Sequence, residues 1–259
     1  MTASTLAPAN SNLYLGRGML YYDQFLAGTT TRTGELALGN CLKFEITMKD
    51  TMKEKYESMD HSSLLYQRAP IRRDSTIKIE GDEYSLENLA AVMMGNTAKL
   101  AQTGATVTGE SLTTAAVLGR YYPTKYRNIS AVTLHDAASV KVLGTDYTVD
   151  AISGRIYILP TGSILAGDTL TVDYTYATQS LNMVQAGTSA KQDGYLRFVA
   201  DPVSGPHYEV EVWHVNFTPS GAIGFIADDF GNWTLEGMVI ADLVNHPTEP
   251  LYHVIDRGL

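Results

Sequence analysis

Apolar and polar residues alternate with a period of two along several stretches of this chain, the pattern of strands with one buried face. Leu42, Phe44, Ile46 and Met48 alternate with Lys43, Glu45, Thr47 and Lys49. Ile77 and Ile79 alternate with Lys78 and Glu80, and Leu13 to Tyr22 shows a less regular version. Later, Tyr208, Val210 and Val212 alternate with Glu209 and Glu211, and then the apolar set jumps to Trp213, Val215 and Phe217. That shift predicts a β-bulge or a strand buried on both sides. Ala222 to Ile226 and Trp233 to Ala241 read as two more strands, separated by the turn residues Asp228 to Asn232.

One segment has helical spacing instead. Ser85 suits an N-cap, and Glu87 lies in the first turn, where the helix dipole favours a negative charge. Leu86, Leu89, Ala90 and Met93 recur at helical intervals, and Gly95 suits a left-handed closing residue. So short a helix needs the sheet to pack against.

The chain then changes character. Thr97 to Thr114 is rich in Ala, Thr and Gly and reads as a linker or a weak edge strand. From Tyr121 a separate set of strands follows: Val132–Leu134, Val140–Leu143, Tyr147–Val149, Ile156–Leu159 and Leu170–Tyr176. Turns at Gly144 to Asp146, Ser153-Gly154 and Ala166 to Asp168 separate them, at the spacing of a small β-sandwich. Leu170, Val172, Tyr174 and Tyr176 form one apolar face, and the polar stretch Gln179 to Asp193 leads back. The expected organisation is one β domain (1–118 and 183–259) carrying another (119–182) in a loop.

Composition narrows the function. The chain has 259 residues, 44% hydrophobic and 18% charged, ordinary for a folded protein with a real core. Its 16 Tyr, beside 6 Phe and 2 Trp, suit strands and half-wet surfaces. The net charge of −9 disfavours a grip on nucleic acid, which needs a basic patch to neutralise phosphates. Arg68, Arg72 and Arg73 form the densest basic stretch, read as a solvated loop. Cys41 is the sole cysteine, which excludes a disulfide framework, and it reads as a small buried hydrophobe. Met1 to Asn12 lacks the pattern of a secretory signal, so synthesis in the cytosol is expected. No stretch approaches the ~20 apolar residues of a membrane span.

No catalytic pattern emerges. His61, His135, His207, His214, His246 and His253 show no zinc-site spacing, and His207 and His214, seven apart, fall on opposite faces of a regular strand. Asp146 and Asp150 read as turn residues without calcium-loop spacing, and Asp228 and Asp229 read likewise. Gly16-Arg17-Gly18 lacks the rest of a phosphate loop, and there is no Gly-x-Ser-x-Gly elbow. The expectation is a structural protein, not an enzyme, with no cofactor and no metal.

The order of these elements resembles the major tail tube proteins of long-tailed bacteriophages. The resemblance lies in Leu13 to Gly18, then Glu35 to Asn40 entering an alternating strand, then a polar excursion from Asp50 to Asp74. A strand and the Leu86 to Gly95 helix follow, and Trp233 to Val239 looks like the family's closing strand. It covers roughly the first 118 and last 75 residues, a likeness of order and pattern. The segment from Tyr121 resembles the immunoglobulin-like decorations of phage tail proteins.

The resemblance implies a mainly β fold: a tail-tube-type β-sandwich or barrel with one flanking helix, plus a small inserted immunoglobulin-like sandwich. It implies six copies closing into rings that stack into a tube, through which DNA passes without being held. Lys53, Lys55, Tyr56, Glu57, Tyr66, Arg68, Arg72 and Arg73 would belong to an arm reaching the next ring, or to a flexible surface loop. Glu45, Glu209 and Glu211 would face either the channel or outer solvent. Implied partners are further copies of the chain, a tape-measure protein, a tail terminator and distal tail proteins. The implied location is the virion, assembled in the host bacterial cytoplasm. Three further readings stand beside it, the most distant being a hydrolase on a β scaffold. One is a tail terminator, or the tube of a contractile tail or type VI secretion machine. Another is a surface-exposed carbohydrate-binding or adhesion sandwich, with Tyr121, Tyr122, Tyr147, Tyr157, Tyr174 and Tyr176 as stacking surface.

Overall fold

The computed structural model describes residues 13–59, 61–137, 139–189, 191–226 and 228–258. The chain is mainly β. In order its elements are β1 (Gly18–Gln24), β2 (Leu36–Ala37), β3 (Cys41–Tyr56), β4 (Leu65–Gly81), α1 (Leu86–Val92), β5 (Asn96–Gln102), β6 (Ala105–Thr113), β7 (Tyr121–Pro123) and β8 (Ile129–Asp136). There follow β9 (Ser139–Val140), β10 (Tyr147–Asp150), β11 (Arg155–Ile158), β12 (Leu170–Tyr176), β13 (Gln179–Gln185), β14 (Gln192–Ala200), β15 (Tyr208–Pro219), β16 (Trp233–Val239) and β17 (Tyr252–Asp256). No helix among the described residues is long and apolar enough to cross a membrane. Two units divide the chain, Met1–Thr97 with Val184–Leu259, and Ala98–Met183.

The larger unit is built on one antiparallel sheet in the order β2-β1-β14-β15-β16-β4-β3, with β17 also paired to β15. Its key strand is β15. Gly194 pairs with Val215 but Leu196 pairs with Val212, so Trp213 and His214 together oppose Tyr195. This is the bulge that the shifted alternation implies, and it keeps Val212, Val215 and Phe217 on the buried face. It also divides the strand's far edge: Tyr208 to Val212 pair with β17, and Val215 to Pro219 pair with β16.

The sheet folds over on itself. Four strand spacings separate β14 from β3, about 19 Å in a flat sheet. Yet the Phe198 and Phe44 rings lie 5.3 Å apart. The core between the two halves holds Leu20, Ile77, Ile79, Leu196, Val212, Phe217, Trp233 and Leu235. Trp233 is fully buried, and its indole N–H donates to the Glu83 carbonyl at 2.9 Å. A Cβ on Gly81 would meet that indole at 2.3 Å, so Gly81 makes room for it.

Ser85 caps α1, accepting from the Asn88 N–H at 3.1 Å. The buried face is Asn88, Ala90, Ala91 and Val92, while Leu86, Leu89 and Met93 are only half-buried. The expected stripe is therefore rotated. Asn88 takes the inner position because its amide donates to the Leu38 and Glu83 carbonyls. Met94, not Gly95, adopts the left-handed conformation, at φ 50°. Gly95 serves close approach instead: a Cβ there would lie 2.4 Å from the Gln185 carbonyl oxygen. Ala222 to Ile226, expected as a strand, forms no strand, and Phe225 and Ile226 point into solvent.

The smaller unit is a β-sandwich of two sheets, β6-β12-β8-β9 and β10-β11-β7. Between them lie Leu134, Leu170, Val172 and Tyr174 from the first sheet and Tyr147, Ile156 and Ile158 from the second. The clean apolar face of β12 is buried throughout. The segment read as a linker or weak edge strand supplies the edge strand β6. The unit thus begins before residue 119, because β12 pairs with β6 from Ala105↔Tyr176 to Thr113↔Leu170. First and last strands lie side by side, an order different from that of a constant-type immunoglobulin domain. That order puts entry and exit together, as insertion into a loop requires.

Candidate assembly surfaces

The polar excursion is an ordered arm, not a loop. β3 and β4 remain paired from Cys41↔Gly81 to Tyr56↔Leu65, with bulges at Ile71 and Tyr66 on β4. Beyond Thr76, β4 has no second strand partner among the described residues, since β16 ends there against Met238. The free part of β3 would reach roughly 25 Å at strand rise. Pro70 sits in this stretch, a residue that a strand tolerates where no neighbour needs its N–H.

All eight residues expected in the arm lie on this hairpin, and its exposed side chains include Tyr56, Tyr66 and Ile71, with Leu64 and Leu65 near the tip. The three arginines are each paired within the arm. Arg73 forks onto Asp50 at 2.7 and 2.9 Å, Arg72 meets Asp74 at 2.7 Å, and Arg68 meets Glu54 at 3.2 Å. The Tyr56 hydroxyl donates to Glu54 at 2.9 Å. The reading of Arg68 to Arg73 as a solvated loop is thus half right: solvated, but a strand.

The three acidic residues expected on a wall do not form one set. Glu45 is exposed on β3 and pairs with Lys43 at 3.1 Å. Glu209 and Glu211 lie together on the outer face of β15, half-buried in a network. Glu211 accepts from the Tyr195 hydroxyl at 2.5 Å and lies 2.8 Å from His253 Nε2. Glu209 lies 3.4 Å from Arg197 and 4.0 Å from Arg257, and Arg197 also binds Glu35. Arg197 and Arg257 offset the charge of Glu209, while Glu211 is held by the hydrogen bond from Tyr195 and its contact with His253.

The same face holds residues that no sequence pattern singles out. Asp23 is buried, accepting from the Thr33 and Gly34 N–H groups at 2.8 Å and from Arg32 Nε at 2.7 Å. Burial alone would raise its carboxyl, but the bonds from Arg32, Gly34 and Thr33 outweigh that and hold it below the usual carboxylate range. The Arg32 guanidinium lies 3.8 Å over the Tyr195 ring. The bulge also corrects the parity argument for His214, turning it to the face of Glu211 and Trp213, with which it lines one cleft. Trp213 stacks on His246 at 3.5 Å.

An open apolar groove lies on the opposite side of the sheet. Leu20, Leu42, Phe44, Phe198, Val210 and Val254 line it, together with the polar Arg17, Asn40 and Lys43. Cys41 also borders it, and burial, then Asp82 and Glu83, push its thiol up to about 11.

Among the described residues, no group of three or more His, Cys, Asp or Glu is placed to hold a metal ion. Of the tyrosines offered as stacking surface, Tyr147, Tyr174 and Tyr176 are core residues. Tyr121 is exposed, with its ring 4.7 Å from that of Tyr157. No curated protein matches the chain. A family described as "Protein of unknown function UCP028589" matches residues 13–250, nearly the whole chain. The chain belongs to that family.

Proposed function

We propose that this chain is a self-assembling structural protein, the major tube protein of a long-tailed phage tail, whose copies form stacked hexameric rings around a DNA channel. The observation that carries this reading is the β3–β4 arm. A two-stranded hairpin is marginal alone in water, and this one exposes unpaired edges and apolar side chains. A second copy is a natural cover for both, and a contact between unlike surfaces propagates into rings or open polymers. The internal ion pairs of the arm suit protein contact better than phosphate contact. The overall charge of −9 suits a wall along which DNA must move freely.

On this reading no residue is catalytic, the site of action is the virion, and the other partners are the tape-measure, terminator and distal tail proteins. Negative-stain microscopy of the purified protein over a concentration series tests it. Rings or hollow tubes are expected. A chain that stays monomeric throughout would remove the proposal.

A further inference from the structure

We propose that a cavity beside α1 in the larger unit binds a small uncharged polyol, of about the size of a hexose. The cavity holds about 310 Å³, and Tyr22 and Asn88 are among its lining residues. Each leaves a buried polar atom unpaired among the described residues, Tyr22 Oη and Asn88 Oδ1, although the two residues are only 5% and 2% exposed. A buried polar atom without a partner costs stability, so two of them on one cavity point to a ligand that pairs with both.

Their chemistry defines that ligand. Turning the Asn88 amide round would not pair it. Both N–H hydrogens are used, on the Leu38 carbonyl at 2.9 Å and the Glu83 carbonyl at 3.0 Å, which leaves Oδ1 as an acceptor. Burial, then Asp193 and Asp23, push the Tyr22 hydroxyl up, so it stays protonated and able to donate. The ligand must therefore give a bond to Asn88 and take one from Tyr22. A hydroxyl does both, whereas an ammonium only gives and a carboxylate only takes. Gln24, Thr33, Asn96 and Thr97 add side chains that give and take, and no basic residue lines the cavity. The exposed Glu87 carboxylate, in no ion pair among the described residues, adds an acceptor. So distributed a polar set suits several hydroxyls better than one polar end. Leu36, Leu38 and Ala90 offer apolar surface to the carbon skeleton. The walls are braced from behind, as ligand sites usually are. Gln24 donates to Gln192 at 2.8 Å, Gln192 donates to the Gly95 carbonyl at 3.3 Å, and Asp23 holds the Thr33 and Gly34 N–H groups. This site goes beyond the assembly reading and does not depend on it.

Saturation-transfer difference NMR on the full chain, titrated with D-glucose, D-galactose and glycerol, tests this on single chains and polymers alike. Saturable transfer to at least one of the three is expected, with none to sodium acetate or butylammonium chloride. Tyr22→Phe keeps the ring that packs over Gly194 and deletes only a hydroxyl that no described group uses. It should fold and melt as the wild type does and bind about tenfold more weakly. Glu87→Ala, an exposed change on the same cavity, should also weaken binding and carries the test if Tyr22→Phe fails to fold. No saturable transfer to any of the three polyols overturns the proposal. Wild-type affinity in the folded variants overturns it too, since the ligand then sits elsewhere. Equal transfer to acetate or butylammonium would overturn the choice of an uncharged ligand.

Discussion

Arg73 forks onto Asp50 across the base of the arm, with Nε–Oδ1 at 2.7 Å and Nη2–Oδ2 at 2.9 Å between residues paired in register. This pair holds the two strands together where the larger sheet has already ended. Arg73 is exposed and Asp50 only half-buried, so the fork orders the arm and leaves the core below it unaffected.

Arg73→Ala should therefore leave the melting temperature of the folded chain essentially unchanged while loosening the arm, seen as faster amide exchange at Lys49 to Lys53. A large drop in melting temperature would mean that the arm supports the core.

Trp233 is the reverse case. Its ring fills the centre of the larger core and its N–H satisfies Glu83. Trp233→Phe leaves a cavity and removes one of the two bonds to the Glu83 carbonyl, to which Asn88 still donates, and should cost about 1–3 kcal/mol in a denaturant titration.

Asp23 sets an acid limit. Its folded-state carboxyl lies below the unfolded value, so its contribution is complete above about pH 4. That contribution is lost as pH falls through the lowered folded value. Asp23→Asn should be less stable than wild type at neutral pH, and the gap should narrow below about pH 4. A constant gap across that range would show that the Arg32 and backbone bonds do not favour the ionised form.

Cys41 should react slowly with thiol reagents at neutral pH, because burial holds its thiol up to about 11 and little thiolate is present. A reaction rate matching a free thiol would show that the groove opens.

The insertion gives a deletion test. Replacing Gly104 to Thr178 by a short linker removes the whole sandwich and should leave the larger unit folded. Removing only Tyr121 to Ala177 takes away β12 and strands β6 without its partner, so that variant should be less soluble.

Much of this architecture could be read from the residues because burial writes periodicity into sequence. Val210, Val212, Val215 and Phe217 encode a strand and its bulge, and Leu170 to Tyr176 encode a buried face. The arm carries no such signal. Arg68-Ala69-Pro70-Ile71-Arg72-Arg73 has neither face buried, so nothing imposes alternation, and a paired strand reads as a loop. The reverse holds at Ala222 to Ile226, where apolar residues suggest burial but form an exposed loop. The α1 stripe differs from the apolar spacing because Asn88, a polar residue, takes an inner position through bonds to Leu38 and Glu83. The Asp23, Arg32 and Tyr195 cluster joins strands distant in sequence, and no local spacing announces it.

On the proposed function, copies of this chain assemble through the arm. The most direct test compares the full chain with a variant in which Thr51 to Arg72 is replaced by a short turn, by electron microscopy at matched concentrations. Stacked rings or tubes are expected from the full chain, and at most single rings from the folded variant. Tubes formed equally well without the arm would contradict the proposed function.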